Sequence, residues 1–228
     1  MGIGDYVGSS FNYAKEALVG KWVRWILLLI CTVIQFCTIS IIPLMSGYLV
    51  RVLEGSESAP DVNKWGKLFV DGWKINIIAI VYFIIPVLIG LIILILAEGF
   101  SILTLILENV MNPMAFLGLI AGVAFTSFIV FIIFAIIFGF FQIIGMVKFA
   151  RSGKLGAAFS FSEIVAHIGK IGWGKYIVSL IVLWIILAII SAILYMIPIV
   201  GWIILAIIAP LFAIWEFRLF SQLYDAGV

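Results

Sequence analysis

Charged residues are scarce in this chain, and the places where they are missing indicate its class. Only 11% of the residues are charged, against about 25% in an average soluble domain. Residues 109–147 and 176–215 contain no Asp, Glu, Lys or Arg. Residues 176–215 alone would form roughly 60 Å of helix, which crosses a hydrocarbon layer of about 30 Å twice. A soluble globular protein is excluded, because too few polar residues remain to cover a surface that faces water.

Histidine and cysteine are also scarce. His167 is the only histidine, so the spacing typical of a metal site is absent, and no cofactor is expected. Cys31 and Cys37 both lie in the first apolar stretch, which predicts free buried thiols that act as small apolar residues. The net charge of +2 is too small to indicate nucleic acid as a partner. Because no convergent catalytic set of residues is found, we expect a protein that is not an enzyme.

Polar segments long enough for a second domain are missing as well. The longest of them, residues 54–74, is shorter than the roughly 50 residues at which independent domains begin. We therefore expect a single membrane domain over residues 1–228. The N-terminus does not match a secretory signal, because the first apolar stretch begins only at Trp25 and continues without a charge to residue 50.

What the chain does contain is a set of long apolar segments. They are residues 25–50, 75–97, 114–147 and 176–215. The third follows a break at Asn112-Pro113, and the last turns back at residues 198–201. This pattern predicts an all-α integral membrane protein, a helical bundle of about five transmembrane helices.

The basic residues assign sides to these helices. Residues 51–74, 148–175 and the tail after residue 215 hold ten of the 13 Lys and Arg residues, whereas the connection 98–113 holds only Glu98 and Glu108. Basic loops stay in the cytoplasm, so we expect the first three segments inside and the acidic connection outside.

The first apolar stretch has two interpretations. A single span would carry Lys15, Lys21 and Arg24 to the outside, against the basic-loop rule. A re-entrant hairpin, bent near Gln35, would keep every basic residue inside but would need a polar turn within lipid. The sequence leaves both open: five spans, or four spans with a re-entrant hairpin.

Amphipathic segments precede three of the apolar stretches. Residues 11–22, 65–74 and 161–175 each predict a short helix that ends in Lys and Trp, and the pattern gives three weak repeats, over residues 8–53, 63–151 and 160–224. Such helices lie in the headgroup layer, so membrane lipids are the expected partners. The residues predicted at the membrane interface are Trp22, Trp65, Trp73, Trp173, Lys21, Lys74 and Lys175.

A few polar residues fall at membrane depth, where lipid makes them costly. They are Gln35, Asn76, Gln142 and Glu216. We expect hydrogen bonds between helices and charges at the boundary, with Glu216 paired to Arg218 or to a basic exit segment. Glu163 and His167 lie four residues apart, which indicates either a solvated helix or a pair that handles protons.

Gly118 and Gly122 have the spacing that lets helix backbones approach closely. This spacing indicates either packing within the chain or contact between copies in a homo-oligomer. A pore in such an oligomer would be lined by residues such as Gln142, Thr126 and Ser127.

Two short motifs resemble a known signature. Gly47-Tyr48-Leu49 followed by Arg51, then Pro60 and the segment Trp65-Gly66 to Gly72, are similar to the pattern GYLxR and PxxxxWGxLFxxG. This pattern resembles an uncharacterised family of archaeal multi-pass membrane proteins, catalogued as a domain of unknown function, over most of the chain. The chain is also distantly similar to the membrane-anchor domains of glycerophosphodiester phosphodiesterases, but no phosphodiesterase domain is present to carry that activity. The resemblance implies a plasma-membrane protein and no specific function.

These observations lead to two functional hypotheses. The first is a non-enzymatic membrane protein that assembles with itself or shapes the bilayer through amphipathic helices and hairpins. The alternative is a channel or small secondary transporter, with its pathway through the bundle or through the centre of an oligomer.

Overall fold

The computed structural model describes residues 2–107 and 113–228, and within them every regular element is a helix. Glu108 and Asn112, the first residue of the predicted Asn112-Pro113 break, lie outside the described residues, and so does the side chain of Glu98. A short 3₁₀ helix, Leu155–Phe159, lies between α5 and α6. The α-helices are α1 Ile3–Leu18, α2 Trp22–Cys37, α3 Leu44–Leu53, α4 Trp65–Leu107, α5 Pro113–Ser152, α6 Phe161–Ile171, α7 Trp173–Tyr195 and α8 Val200–Asp225.

Four of the described helices, α4, α5, α7 and α8, are long and apolar enough to cross a membrane. A fifth span is counted if the bent pair α1 and α2, which meet at 102°, is taken as one crossing. The helices expose many large apolar side chains, which only a lipid environment accommodates over such an area. The prediction of an all-α, multi-pass membrane protein is confirmed.

The described chain falls into two compact units. The first comprises Met1–Ile78 and Ile143–Val228, and the second is Ala79–Gln142. Within the second unit, the rings of Phe83 and Phe131 meet edge to face with centroids 5.6 Å apart. Gly90 helps α4 and α5 approach, because a Cβ at Gly90 would lie 3.2 Å from the Cβ of Phe131.

In the first unit, α1 packs along α8. The Nε1 of Trp215 donates a hydrogen bond of 3.0 Å to the Val7 carbonyl, and Ala14 and Leu18 are fully buried. The sequence predicted that the apolar face of this helix lies in the headgroup layer. That prediction is wrong for Ala14 and Leu18, which are buried because α1 packs on α8, whereas Phe11 and Trp22 of the predicted face are exposed.

The bounds of the amphipathic segments also differ from the prediction. The helix expected over 11–22 ends at Leu18, because Gly20 adopts a φ of +77° before α2 begins. Residues 65–74 form no separate helix and are the first turns of α4, because the helix continues through Gly72, which does not adopt a positive φ as Gly20 and Gly172 do. Residues 161–175 divide at Gly172, with φ of +93°, into α6 and the start of α7.

The first apolar stretch forms a bent hairpin. α2 ends at Cys37, the backbone turns through Ile39 and Ser40 at positive φ, and α3 begins at Leu44. Gln35 holds the turn: its Nε2 donates to Ser46 Oγ and its Oε1 accepts from the Ser46 N–H, both at 2.9 Å. The chain therefore bends close to Gln35, and this side chain provides hydrogen bonds to the start of α3. Return of the hairpin to the same side of the membrane stays a prediction.

The hairpin lies directly on the first turns of α4. A Cβ at Gly47 would be 1.8 Å from the Leu68 carbonyl oxygen, and a Cβ at Gly72 would be 2.0 Å from the Pro43 carbonyl oxygen. Only glycine permits backbones this close. The predicted turn at residues 198–201 is also confirmed, since α7 ends at Tyr195 and α8 begins at Val200.

Candidate functional site

The last residue of α3 and the loop that follows it, residues 53–63, accept hydrogen bonds from all four arginines of the chain. The bonds are Arg24 Nη2 to Asp61 Oδ1 (2.7 Å), Arg51 Nη1 to the Asp61 carbonyl (2.8 Å), Arg151 Nε to the Leu53 carbonyl (2.9 Å) and Arg218 Nη1 to the Ser56 carbonyl (2.9 Å). We call this loop and its four arginines the arginine junction. Guanidinium groups suit such a site because their donors form a fixed planar fork.

Two of these arginines join the ends of the hairpin. Arg24 lies in the first turn of α2 and Arg51 in the last turn of α3, yet both bind Asp61. Arg51 is buried and also donates to the carbonyl of Asn63 at 2.7 Å. Tyr48 adds a bond from its hydroxyl to the Pro60 carbonyl at 3.2 Å. The two ends of the hairpin thus lie next to each other.

Arg151 connects the loop to α8. Its Nη2 donates to Ser221 Oγ at 2.9 Å and to both carboxylate oxygens of Asp225, at 2.7 and 2.8 Å. Gly55 makes room for this guanidinium, because a Cβ at Gly55 would lie 2.2 Å from Nη2 of Arg151. The φ of +87° at Gly55 also favours glycine.

Arg218 reaches the loop from α8 and stacks over the ring of Tyr13 in α1, with its Cζ 4.2 Å from the ring centroid. Within the described chain, Arg218 Nε and the Tyr13 hydroxyl are buried without a hydrogen-bond partner. The cation–π contact supplies part of the stabilisation that these polar groups would otherwise lack.

The residues predicted at the membrane interface lie just before or within the first three turns of α2, α4 and α7. Trp65, Trp73 and Trp173 are exposed, and Trp22 is 65% exposed and stacked on Trp25. Of the three predicted lysines, Lys74 and Lys175 bind other side chains of the protein, and Lys21 lines a cavity beside the junction. Lys74 pairs with Asp71 at 2.9 Å, and Lys175 donates to the Tyr6 hydroxyl at 3.0 Å. Their contact with headgroups stays a prediction.

The polar residues predicted at membrane depth mostly make local contacts. Asn76 Nδ2 donates to the Ser40 carbonyl at 2.9 Å, so it supports the same hairpin turn as Gln35. Gln142, at the end of the second unit, is half-buried. Their role in a transport pathway stays a prediction.

Glu216 has a different partner from the predicted one. It accepts a bond of 2.8 Å from the indole Nε1 of Trp184 in α7. Arg218 is bound elsewhere because residues two apart on a helix point to different faces.

Glu163 and His167 bind different groups. Glu163 forms an ion pair with Lys148, whereas His167 Nε2 donates to the Tyr224 carbonyl at 2.8 Å and its ring stacks on Tyr224 at 4.1 Å. Burial lowers the pKa of His167, with a smaller contribution from Lys170. Within the described chain, no three His, Cys, Asp or Glu residues group closely enough to hold a metal ion.

Sequence reasoning did not identify the arginine junction as a site. The signal was present in the two motifs, because Gly47, Tyr48, Arg51, Pro60 and Gly72 all lie at the contacts between the hairpin, the loop and α4. These residues are therefore explained by packing and hydrogen bonding within one structural unit.

Comparison with known proteins identifies a protein family for this chain, but no individual relative. No curated protein matches the chain, and no solved structure matches it. A family model described as protein of unknown function (DUF4013) matches residues 30–199, which is more than half of the chain. The chain therefore belongs to the DUF4013 family of proteins of unknown function.

Proposed function

We propose that this protein is a non-enzymatic, multi-pass membrane protein that shapes the bilayer by inserting the α2–α3 hairpin into one leaflet. The observation that carries the proposal is that Arg24 and Arg51, at opposite ends of the hairpin, both bind Asp61. A hairpin held in this way adds volume to the leaflet that it enters and none to the other. Unequal volume in the two leaflets bends a membrane.

The dimensions of the hairpin support partial insertion. α2 has 16 residues, so at about 1.5 Å per residue it is roughly 24 Å long, shorter than the hydrocarbon layer of about 30 Å. The tip is apolar and exposed: Phe36 is 85% exposed and Ile39 is 89% exposed. Burying such side chains in acyl chains gains about 25 cal/mol per Å² of apolar surface.

The basic residues support a cytoplasmic location for the junction. The end of α5 and the end of α8 reach the junction through Arg151 and Arg218, and α6 lies next to it through the ion pair of Glu163 with Lys148. The start of α4 reaches it through Lys67, which pairs with Glu54 at 3.8 Å. α1 lies at the same end, since Ser9 Oγ donates to Gln222 Oε1 at 3.1 Å. Basic segments stay inside the cell, so we place the N-terminus in the cytoplasm. The plasma membrane is the location that the family resemblance implies.

Cysteine labelling tests this topology. In a chain whose native Cys31 and Cys37 are replaced by Ala, single cysteines at the exposed positions Asn12 and Ser56 should react with a membrane-impermeant maleimide from the same side. Reaction from opposite sides would establish a full first crossing and overturn the re-entrant hairpin.

Reconstitution tests the shaping activity. Liposomes should become smaller or tubular as the protein-to-lipid ratio rises, without loss of an ion gradient. A variant with Phe36→Ser and Ile39→Ser should lose this effect, because a polar tip resists burial in acyl chains. Met196→Ser is the matched control, since Met196 is equally exposed in the turn between α7 and α8. Unchanged vesicle shape with the wild-type protein would contradict the proposal.

One observation favours the alternative function, a channel or small transporter. In the second unit, a cavity of about 340 Å³ is lined by Gly118, Gly122, Thr126 and Ser127. Ser127 Oγ is buried there without a hydrogen-bond partner among the described residues. Solute or ion flux through liposomes of unchanged shape would favour this alternative, and loss of flux in Ser127→Leu would assign it to this cavity.

Assembly with a second copy is part of the proposal and rests on Gly118 and Gly122, which are both exposed on α5. Cross-linking in native membranes tests it, with Gly122→Leu as the variant that should abolish the dimer. The archaeal origin and the distant similarity to phosphodiesterase anchor domains stay predictions.

A further inference from the structure

The start of α2 borders a cavity of about 530 Å³ that the preceding proposal does not use. Lys21, Arg24 and Asp61 line it with charged groups, and Trp22 and Leu27 form apolar walls. The cavity lies at the edge of the arginine junction, where the re-entrant hairpin leaves the protein surface. Charged and apolar groups in one cavity indicate a ligand that carries a charged group and also has an apolar part.

The charges in the cavity do not cancel. Arg24 and Asp61 form an ion pair with 2.7 Å between Nη2 and Oδ1. Lys21 is exposed, and among the described residues it has no acidic partner. The cavity therefore has a net charge of about +1, and Lys21 is its available cation. A ligand with a single negative charge, such as a phosphodiester, would neutralise this net charge and accept a hydrogen bond from Lys21.

An apolar stripe continues from the cavity along α2. Val23, Ile26, Ile30 and Val33 are exposed and recur at three- and four-residue spacing, which places them on one face of the helix. At the N-terminal end of α2, next to this face, the ring of Trp22 stacks on the ring of Trp25, with centroids 5.7 Å apart. Inorganic phosphate would contact only the charged end, whereas a lipid would use the whole surface.

We propose that this cavity binds the phosphate group of a phospholipid, with Lys21 as the main contact and the hydrocarbon chain along the stripe of α2. α2 has no side-chain cap at its N-terminus, so the free N–H groups of its first turn add positive partial charge near the cavity. The inference rests on the proposed insertion of the hairpin into a leaflet. It adds a defined ligand class to that insertion.

The test uses full-length protein in detergent, measured by native mass spectrometry with phosphatidylglycerol, with diacylglycerol and with inorganic phosphate. Phosphatidylglycerol should remain bound at concentrations where diacylglycerol does not. Lys21→Gln should weaken the binding of phosphatidylglycerol about tenfold, the loss of one charge-assisted hydrogen bond. Lys154→Gln is the matched control, because Lys154 is exposed and lies outside the cavity, and its binding should equal that of the wild type.

A second variant tests the stripe. Ile26→Asn combined with Ile30→Asn should weaken phosphatidylglycerol binding while its helical circular dichroism matches that of the wild type. Equal binding by wild-type and Lys21→Gln protein would overturn the proposal, and so would competition by inorganic phosphate at the same concentration as the lipid. Because detergent micelles report no membrane curvature, failure here leaves the shaping of liposomes untouched, and the two proposals fail separately.

Discussion

Glu216 of α8 accepts a hydrogen bond from the indole nitrogen of Trp184, and this bond joins the two helices of the last hairpin within their membrane-spanning segments. Trp184 lies in the middle of α7, which runs from Trp173 to Tyr195. A carboxyl group at this depth depends on its donor, because lipid offers no substitute. The sequence predicted that Glu216 pairs with Arg218 or with a basic exit segment, and the bond to Trp184 replaces that pairing.

Trp184→Phe should therefore destabilise the protein beyond the loss of ring contacts. Leaving a polar group without its partner costs about 1–3 kcal/mol. Equilibrium unfolding by SDS in mixed micelles measures this loss. The double variant Trp184→Phe with Glu216→Leu should recover part of the stability, since it removes the unpaired carboxyl group. If the double variant is no more stable than Trp184→Phe, the bond contributes nothing.

Gly47→Ala should strongly destabilise the hairpin. A Cβ at this position would lie 1.8 Å from the Leu68 carbonyl oxygen, so α3 and α4 would have to separate. We expect a loss of about 2–3 kcal/mol in the free energy of unfolding. Gly66→Ala is the matched control on α4, because a Cβ there has nothing within 4 Å, and it should leave the stability unchanged or slightly higher. Equal stability of the two variants would contradict this packing.

Arg151 should stabilise the junction through its geometry and not through charge alone. Arg151→Lys keeps the positive charge but cannot reach Leu53, Ser221 and Asp225 together. We expect it to lose about 1–2 kcal/mol, close to the loss in Arg151→Gln. A double-mutant cycle with Asp225→Asn measures the coupling across the ion pair. Full stability in Arg151→Lys would show that the charge alone is sufficient.

The stability of the protein should fall between neutral and mildly acidic pH because of His167. Burial lowers the pKa of His167 below its usual value of 6.5. As the pH falls below about 6.5, the unfolded chain takes up a proton before the folded chain does. The contribution of His167 to the free energy of unfolding is therefore complete above this pH, and it is lost as the pH falls toward the folded-state pKa. Melting temperatures of wild-type protein from pH 8 to 5.5 should show the decrease, and those of His167→Gln should stay flat over the same range.

Cys37 should behave as a reporter of hairpin insertion. It is exposed at the hairpin tip, whereas Cys31 is buried. In liposomes, a lipid-soluble maleimide should label one thiol per chain and a charged aqueous maleimide should label none. Cys37→Ala should abolish the labelling. Rapid reaction with the charged reagent would place the tip in water and contradict partial insertion.

The elements that follow from composition and periodicity were predictable. The charge-free stretch 176–215 gave two helices and a turn at the expected place, because crossing a membrane requires about 20 apolar residues per helix. The bend near Gln35 was one of two options, since a single polar residue cannot decide between a span and a hairpin. The bonds of Gln35 to Ser46 show that the chain bends here, and they depend on the tertiary return of α3. The depth of the hairpin in the membrane stays a prediction.

The arginine junction could not be predicted in the same way. Its donors lie on α2, α3, α5 and α8, and their acceptors are mostly backbone carbonyls, which carry no sequence signal. The sequence treated Arg51, Arg151 and Arg218 as markers of a cytoplasmic side. Convergence of such residues on one loop appears only when the packing of α8 against α1 and α3 is known.

The bond between Arg218 and Ser56 joins residues that are 162 positions apart, which has a consequence for biogenesis. The ribosome makes the loop early, whereas Arg218 lies on α8, which follows α4, α5, α6 and α7 in the described chain. Until α8 is inserted, the carbonyl of Ser56 lacks this partner and the loop remains open to proteases. Nascent chains should thus become resistant to cleavage in this loop only when the last helix arrives, a late step that pulse-chase proteolysis would detect.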